Sequence, residues 1–121
     1  MNTPVSFELA KLLKEKEFEQ KTKSYNEDGK LVTVSLTIRR FNPEKIYYPA
    51  PTIAEVVMWL YEKHGIWIEA SLNQFSKPKD LHWMYSITFT QNCTYSHSPK
   101  SYKSPTEAYE AAIEYTLNNL L

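Results

Sequence analysis

Three stretches of the chain repeat apolar residues at helical spacing, and three others alternate them with the two-residue period of a strand. Phe7, Ala10 and Leu13, with Leu9 and Leu12 beside them and Lys11, Lys14, Glu15 and Lys16 opposite, predict a surface helix near 5–16, ending about Glu17. Thr3 is placed to cap it and Pro4 to sit in its first turn. Thr52-Ile53-Ala54-Glu55 reads as a capping box: the threonine hydroxyl takes the amide three residues on, and the glutamate reaches back. Ile53, Val56, Val57, Leu60 and Tyr61, with Met58 and Trp59 among them, make the helix over 52–64 apolar on most of its circumference. That predicts the central core element. His64-Gly65 closes it, the glycine supplying a left-handed position. A second capping box with proline at the first helical position, Ser104-Pro105-Thr106-Glu107, opens a helix near 105–120. Its stripe is Tyr109, Ile113, Leu117 and Leu120, flanked by Ala108, Ala112 and Tyr115.

Between these helices, Val32, Val34, Leu36 and Ile38 alternate with Thr33, Ser35, Thr37 and Arg39, giving a strand over 31–38. The turn signal Asn26-Glu27-Asp28-Gly29 pairs it with residues 20–25 as a hairpin. Ile66, Ile68 and Ala70 alternate with Trp67 and Glu69. Beyond a polar loop centred on Lys77-Pro78-Lys79-Asp80, Trp83, Tyr85, Ile87 and Phe89 alternate with Met84, Ser86, Thr88 and Thr90. Phe41 to Pro51, with three prolines and two tyrosines, reads as an irregular connection, and residues 91–103 have no periodicity. The expected fold class is α+β: a four-stranded, mainly antiparallel sheet packed by three helices, in the order α-β-β-α-β-β-α, as a single domain over 1–121. Pro-Thr-x-Ala recurs at Pro51 and Pro105, but it covers only two helix starts and is not read as an internal repeat.

Composition narrows the function classes. A chain of 121 residues buries enough surface to fold without a metal or disulfide, and 42% hydrophobic with 14% aromatic residues is too apolar for a disordered chain. Gly29 and Gly65 are the only glycines and lie far apart, which excludes Walker-type and dinucleotide-binding loops. Fourteen basic residues against fourteen acidic ones remove the simplest argument for nucleic acid or an anionic membrane. A lone Cys93 cannot form an internal disulfide, which points to a reducing compartment or an irrelevant thiol, and Asn92-Cys93-Thr94 is read as a chance glycosylation triplet. The start lacks a secretory layout, and no apolar run approaches the ~20 residues of a membrane span. Cytoplasmic localisation without a membrane partner is expected.

Candidate chemistry is sparse. His64, at a helix end, reads as a capping cation. Cys93-x-x-x-His97 with His82 offers at most three zinc ligands or a Cys–His pair, without the fourth ligand of structural zinc or a cysteine-enzyme signature. Asp28 and Asp80 lie in turns, Glu55 and Glu107 in capping boxes, and Glu110 and Glu114 on a wet helix face. No catalytic residue, cofactor or metal is therefore expected. Trp83, Tyr85 and Phe89 are core if helices cover their face, or a stacking platform for single-stranded nucleic acid if they do not. Residues 72–103 carry Lys77, Lys79, Lys100 and Lys103 against Asp80 alone, whereas the last helix carries three glutamates and no basic residue. Comparison with a double-stranded RNA module fails on that charge, because Ser-Pro-Thr-Glu would repel the phosphates met by the start of the last helix. The segment 91–103 is the best binding candidate, with Tyr95, His97, Lys100 and Tyr102 as possible partner-binding residues.

SFELAKLLKEK at 6–16, APTIAEVVMWLYEKHGIWI at 50–68 and SPTEAYEAAIEYTLNNLL at 104–121 resemble a group of short, uncharacterised proteins from genomes and phage-like mobile elements of gut anaerobes. The resemblance implies a phage or mobile-element association and carries no activity. The expected function is a small non-enzymatic interaction or accessory protein with an unidentified protein partner, acting through exposed loops and a sheet edge. The alternative is a weak nucleic-acid-binding module using the basic, aromatic 72–103 region. A free strand edge also allows a homodimer.

Overall fold

A computed structural model describes residues 3–18, 23–32 and 46–121. The first helix, α1 (Phe7–Glu15), begins later than the Thr3-Pro4 signal suggests: its N-cap is Ser6, whose hydroxyl accepts from the Leu9 amide at 3.3 Å. Thr3 to Val5 instead run extended beside residues 51–53. Pro4 bridges Thr52, Val5 N–H donates to Pro51 O at 2.9 Å, and Ile53 N–H donates to Thr3 O at 3.3 Å. Pairing has overridden the local helix-start signal. At the other end, Glu17 takes a left-handed φ of 62°. Phe18 N–H then returns to Leu13 O at 3.0 Å and Glu17 N–H to Lys14 O at 3.2 Å, the Schellman pattern. This buries Phe18, whose ring meets Trp59 edge-on at 5.1 Å.

The first sheet comprises β1 (Lys23–Tyr25), β2 (Leu31–Val32) and β3 (Tyr48–Ala50), antiparallel in the order β2-β1-β3. Ser24 opposes Val32 and Tyr25 opposes Leu31, so the expected hairpin is present where it is described; residues 20–22 and 33–38 lie outside the described residues. Its turn is held by Asn26 Oδ1, which accepts from the amides of Asp28 (3.0 Å) and Lys30 (2.9 Å). β3 corrects the reading of 41–51 as an irregular connection (41–45 lie outside the described residues): Tyr48 opposes Tyr25 and Pro49 opposes Ser24. It escapes pattern recognition because backbone pairing and ring packing hold it. Phe7 of α1 meets Tyr25 at 5.6 Å and Tyr48 at 5.4 Å, both edge-on.

Next come α2 (Ile53–His64), β4 (Ile66–Leu72), β5 (Trp83–Phe89), β6 (Thr94–His97) and α3 (Pro105–Asn119). Both arms of the Thr52–Glu55 capping box form, each at 3.2 Å, and Gly65 closes α2 at φ 64°. At α3 only one arm matches the expected box: Ser104 Oγ accepts from Glu107 N–H at 3.1 Å, but the Glu107 carboxylate takes the Lys103 amide at 3.3 Å. Thr52 caps α2 whereas Ser104, before the proline, caps α3, so the two Pro-Thr-x-Ala stretches are not equivalent. β4, β5 and β6 form a second antiparallel sheet in that order, Ile68 opposing Ile87 and Ile87 opposing Ser96.

The molecule is α+β with three described helices, but two three-stranded antiparallel sheets replace the expected single four-stranded one. The described order is α-β-β-β-α-β-β-β-α. The added elements are β3 and β6. Ile66, Ile68, Tyr85 and Ile87 turn one face of the second sheet into a core shared with Ala108, Ala112, Ile113 and Leu117 of α3. The helix at the centre is α3 rather than α2, since it lies against β4, β5, α1 and α2. Ala108 and Ala112, one turn apart on one face of α3, are fully buried and have no side chain beyond Cβ to hold a neighbour away there. Among the described residues, no helix is long and apolar enough to cross a membrane.

Candidate functional site

The segment 91–103 is more ordered than its composition suggests. After β5 the chain reverses through Thr90–Cys93, Cys93 adopting φ 56°, and Asn92 Oδ1 accepts from both the amide (3.1 Å) and the hydroxyl (2.6 Å) of Thr94. Thr94–His97 then run as β6 along β5, which corrects the expectation of a loop. Ser98 N–H donates to Tyr85 O at 2.9 Å, and Trp83 and Tyr102 each donate a backbone N–H to the other's carbonyl oxygen at 2.7 Å. Pro99, Lys100 and Ser101 bulge out between those two points.

This ladder decides which groups β6 leaves free. In an antiparallel pair, successive residues direct their peptide groups alternately toward and away from the neighbour. Ser98 bonds inward to β5, so Ser96 and Thr94 do too, and Tyr95 and His97 direct N–H and C=O outward. No described residue meets those outward groups, and every residue of β6 is exposed.

The side chains of Tyr95 and His97 share a face with their cross-strand partners Thr88 and Ser86, opposite the buried Ile87. By the same alternation, Trp67 and Glu69 of β4 lie on that face, opposite Thr88 and Ser86. Tyr95, 65% exposed, meets the His97 ring edge-on at 5.1 Å. Two of the four candidate residues are thus brought together on the open face. The other two are not. Tyr102 turns to the core side, stacked on Tyr85 at 6.1 Å, and Lys100 lies over the Tyr102 ring at 5.4 Å. Burial, with smaller contributions from Tyr102 and Tyr115, raises the Tyr85 phenol above its ordinary value.

Trp83, Tyr85 and Phe89 face the helices, so the β5 aromatics are core and make no stacking platform. Cys93 is exposed in its turn, and among the described residues no three His, Cys, Asp or Glu side chains could hold a metal ion. His82 belongs to a hydrogen-bonded arch between β4 and β5, its amide donating to Ser76 Oγ at 3.0 Å. The turn at the tip places Lys79 at φ 67°, and Phe75 on the arch is 81% exposed.

Sequence reasoning missed two features. Ser101 Oγ, the His82 ring and the Asp80 carboxylate form a chain at 3.3 and 3.4 Å, the residue types of an acyl-transfer relay. Asp80 is 72% and His82 47% exposed, so water competes for every contact and the chain pins the arch to the bulge. The second is an open groove of about 650 Å³ between α1 and α3, floored by Leu9, Leu12 and Ala111 and rimmed by glutamates that include Glu110. Glu110 accepts from the Ser6 amide at 2.8 Å. The Ser101–His82 contact and the groove each join residues more than fifteen apart in sequence, which no spacing rule reports. No family model, curated protein or solved structure matches this chain.

Proposed function

We propose that the protein is a non-enzymatic interaction module that takes up an extended protein segment as an added strand along β6. The observation that carries this reading is the pair of outward peptide groups at Tyr95 and His97, on an edge with no proline or formal charge between Thr94 and Ser98. Such an edge is a template for strand addition: main-chain bonds supply affinity, and alternate side chains supply selectivity. Here the selecting surface is the Tyr95–His97 ring pair on the open face. A mobile-element setting, implied by the resemblance, belongs to the same proposal.

Panning a displayed library of random linear peptides against the full chain tests it. Tyr95→Pro deletes an outward N–H without removing a bond to β5, so the edge is blunted while the fold stays. Enriched peptides should bind the wild type and lose about tenfold or more against the variant, its circular dichroism unchanged. A library that enriches nothing, or peptides indifferent to Tyr95→Pro, overturns the reading. The nucleic-acid alternative draws on the exposed lysines of the arch and bulge, and salt-sensitive retention of single-stranded DNA in a gel would favour it.

A further inference from the structure

Resting on that reading, we infer that the strand β6 takes up is β6 of a second copy, two protomers joining about a two-fold axis at Ser96 into one six-stranded sheet. Parity sets the register. Only Tyr95 and His97 offer outward peptide groups, so an antiparallel partner of identical sequence must centre on Tyr95, Ser96 or His97. Centring on Tyr95 or His97 leaves the other of the two facing a residue outside β6. Centring on Ser96 sets Tyr95 against His97 of the second copy, and His97 against its Tyr95, so all four residues exchange bonds. Pro99 and the bulge then end the pairing just beyond Ser98.

Side chains agree with that register. Each Tyr95 ring would lie beside a His97 ring of the second copy on the open face, extending the edge-on pair already present within each strand. The row Glu69–Ser86–His97 of one copy would continue into Tyr95–Thr88–Trp67 of the other. No formally charged residue lies between Thr94 and Ser98, so a two-fold axis sets no like charges opposite one another. That neutrality also argues for self over a foreign segment, because an edge that selects a basic or acidic peptide needs charge to read it. Other strands carry guards that β6 lacks: Pro49 lies within the edge strand β3, and Glu69 within β4.

The test combines sedimentation equilibrium with cysteine cross-linking. The full chain should dimerise reversibly with concentration, and Tyr95→Pro should raise the dissociation constant about tenfold or more, since it removes two of the four backbone hydrogen bonds between the copies. In a Cys93→Ser background, Ser96→Cys should form a disulfide dimer under mild oxidation faster than Tyr95→Cys or Thr94→Cys. Ser96 would face its own copy in a non-hydrogen-bonded pair, with Cα atoms ~4.5 Å apart and within disulfide reach. A chain that stays monomeric at its highest soluble concentration overturns the inference, as does a dimer that Tyr95→Pro leaves intact or one that cross-links faster through Tyr95→Cys. A monomer that still selects Tyr95→Pro-sensitive peptides keeps β6 as a docking edge and removes only the second copy. Failure of both experiments removes both.

Discussion

Replacing Gly65 by alanine tests how the second sheet is joined to the helix before it. α2 ends at His64 and β4 begins at Ile66, so a single residue turns the chain from helix to strand. It does so at φ 64° and ψ 28°, with its N–H on Tyr61 O at 3.1 Å. Its carbonyl accepts from the Thr90 amide at 2.9 Å and the Thr90 hydroxyl at 2.8 Å, which ties the end of β5 to the start of β4. A left-handed alanine costs ~1–2 kcal/mol, offset by ~0.4–1 kcal/mol from the stiffer unfolded chain. The new Cβ would lie 3.2 Å from Thr90 Oγ1, an atom that can withdraw only by giving up its own bond to Gly65, worth ~0.5–1.5 kcal/mol. Together these predict a loss of about 0.5–3 kcal/mol, centred near ~2 kcal/mol. In urea the midpoint should fall by roughly 1 M at that centre, with an unchanged slope. The double variant Gly65→Ala/Thr90→Ala should recover ~0.5–1 kcal/mol relative to additivity, because the crowding is gone while the backbone strain stays. Gly65→Ala as stable as the wild type, or strictly additive single variants, would refute this account of the junction.

Leu117→Ala and Ile87→Ala, at residues with no exposed surface, should each cost ~2–5 kcal/mol in urea unfolding, and a loss below ~1 kcal/mol at Leu117 would contradict the central place of α3. Thr116→Val should be close to neutral, within ~1 kcal/mol: the buried hydroxyl donates only to Ala112 O at 2.8 Å, a carbonyl already placed in the helix ladder. A large loss there would mean that the hydroxyl has another partner. Burial, and then Glu110, raises the Tyr25 phenol above its ordinary value, and burial raises Tyr85 likewise. A folded pKa above the unfolded one means that the native state holds its protons longer, so this contribution is intact below about pH 10 and falls away as pH climbs through the raised values. Stability that stays level while ultraviolet absorbance reports ionisation of both phenols would contradict it. Removing the Asn92 acceptor by Asn92→Ala should loosen the β5–β6 turn, read as faster amide exchange at Thr94, and unchanged exchange would show that the turn does not rely on that side chain.

What could be read from the sequence was what burial or capping writes into it. The Thr52–Glu55 box, the Gly65 closure and the alternations in β4 and β5 all appear, because one face of each element is driven into the core and local hydrogen bonds mark its ends. Thr3-Pro4 misled for the opposite reason: a local signal was overridden by pairing with residues 51–53. The apolar girth of α2 suggested the centre of the core, yet side-chain size mattered more. Ala108 and Ala112, one turn apart on the same face of α3, are fully buried and admit a close neighbour there. β3 stayed illegible because a Tyr-Pro-Ala strand, with two of its three residues half-buried, has no period to detect.

β6 is the limiting case, and its illegibility has the same cause as its proposed role. Alternation appears in a sequence only where one side of a strand gains burial that the other does not. At Thr94–His97 neither side gains it, since the helices lie over β4 and β5 and the open face is wet. β6 is therefore held by main-chain bonds to β5 and by the Asn92 turn. A strand held in that way contributes little burial to its own fold, and its aromatic side chains find cover only from another chain. The exposed Tyr95–His97 pair is a cost in a molecule that works alone and a contact surface in one that does not. The comparison of wild type with Tyr95→Pro separates these alternatives: if the bare edge has no occupant, blunting it should change neither association nor peptide capture.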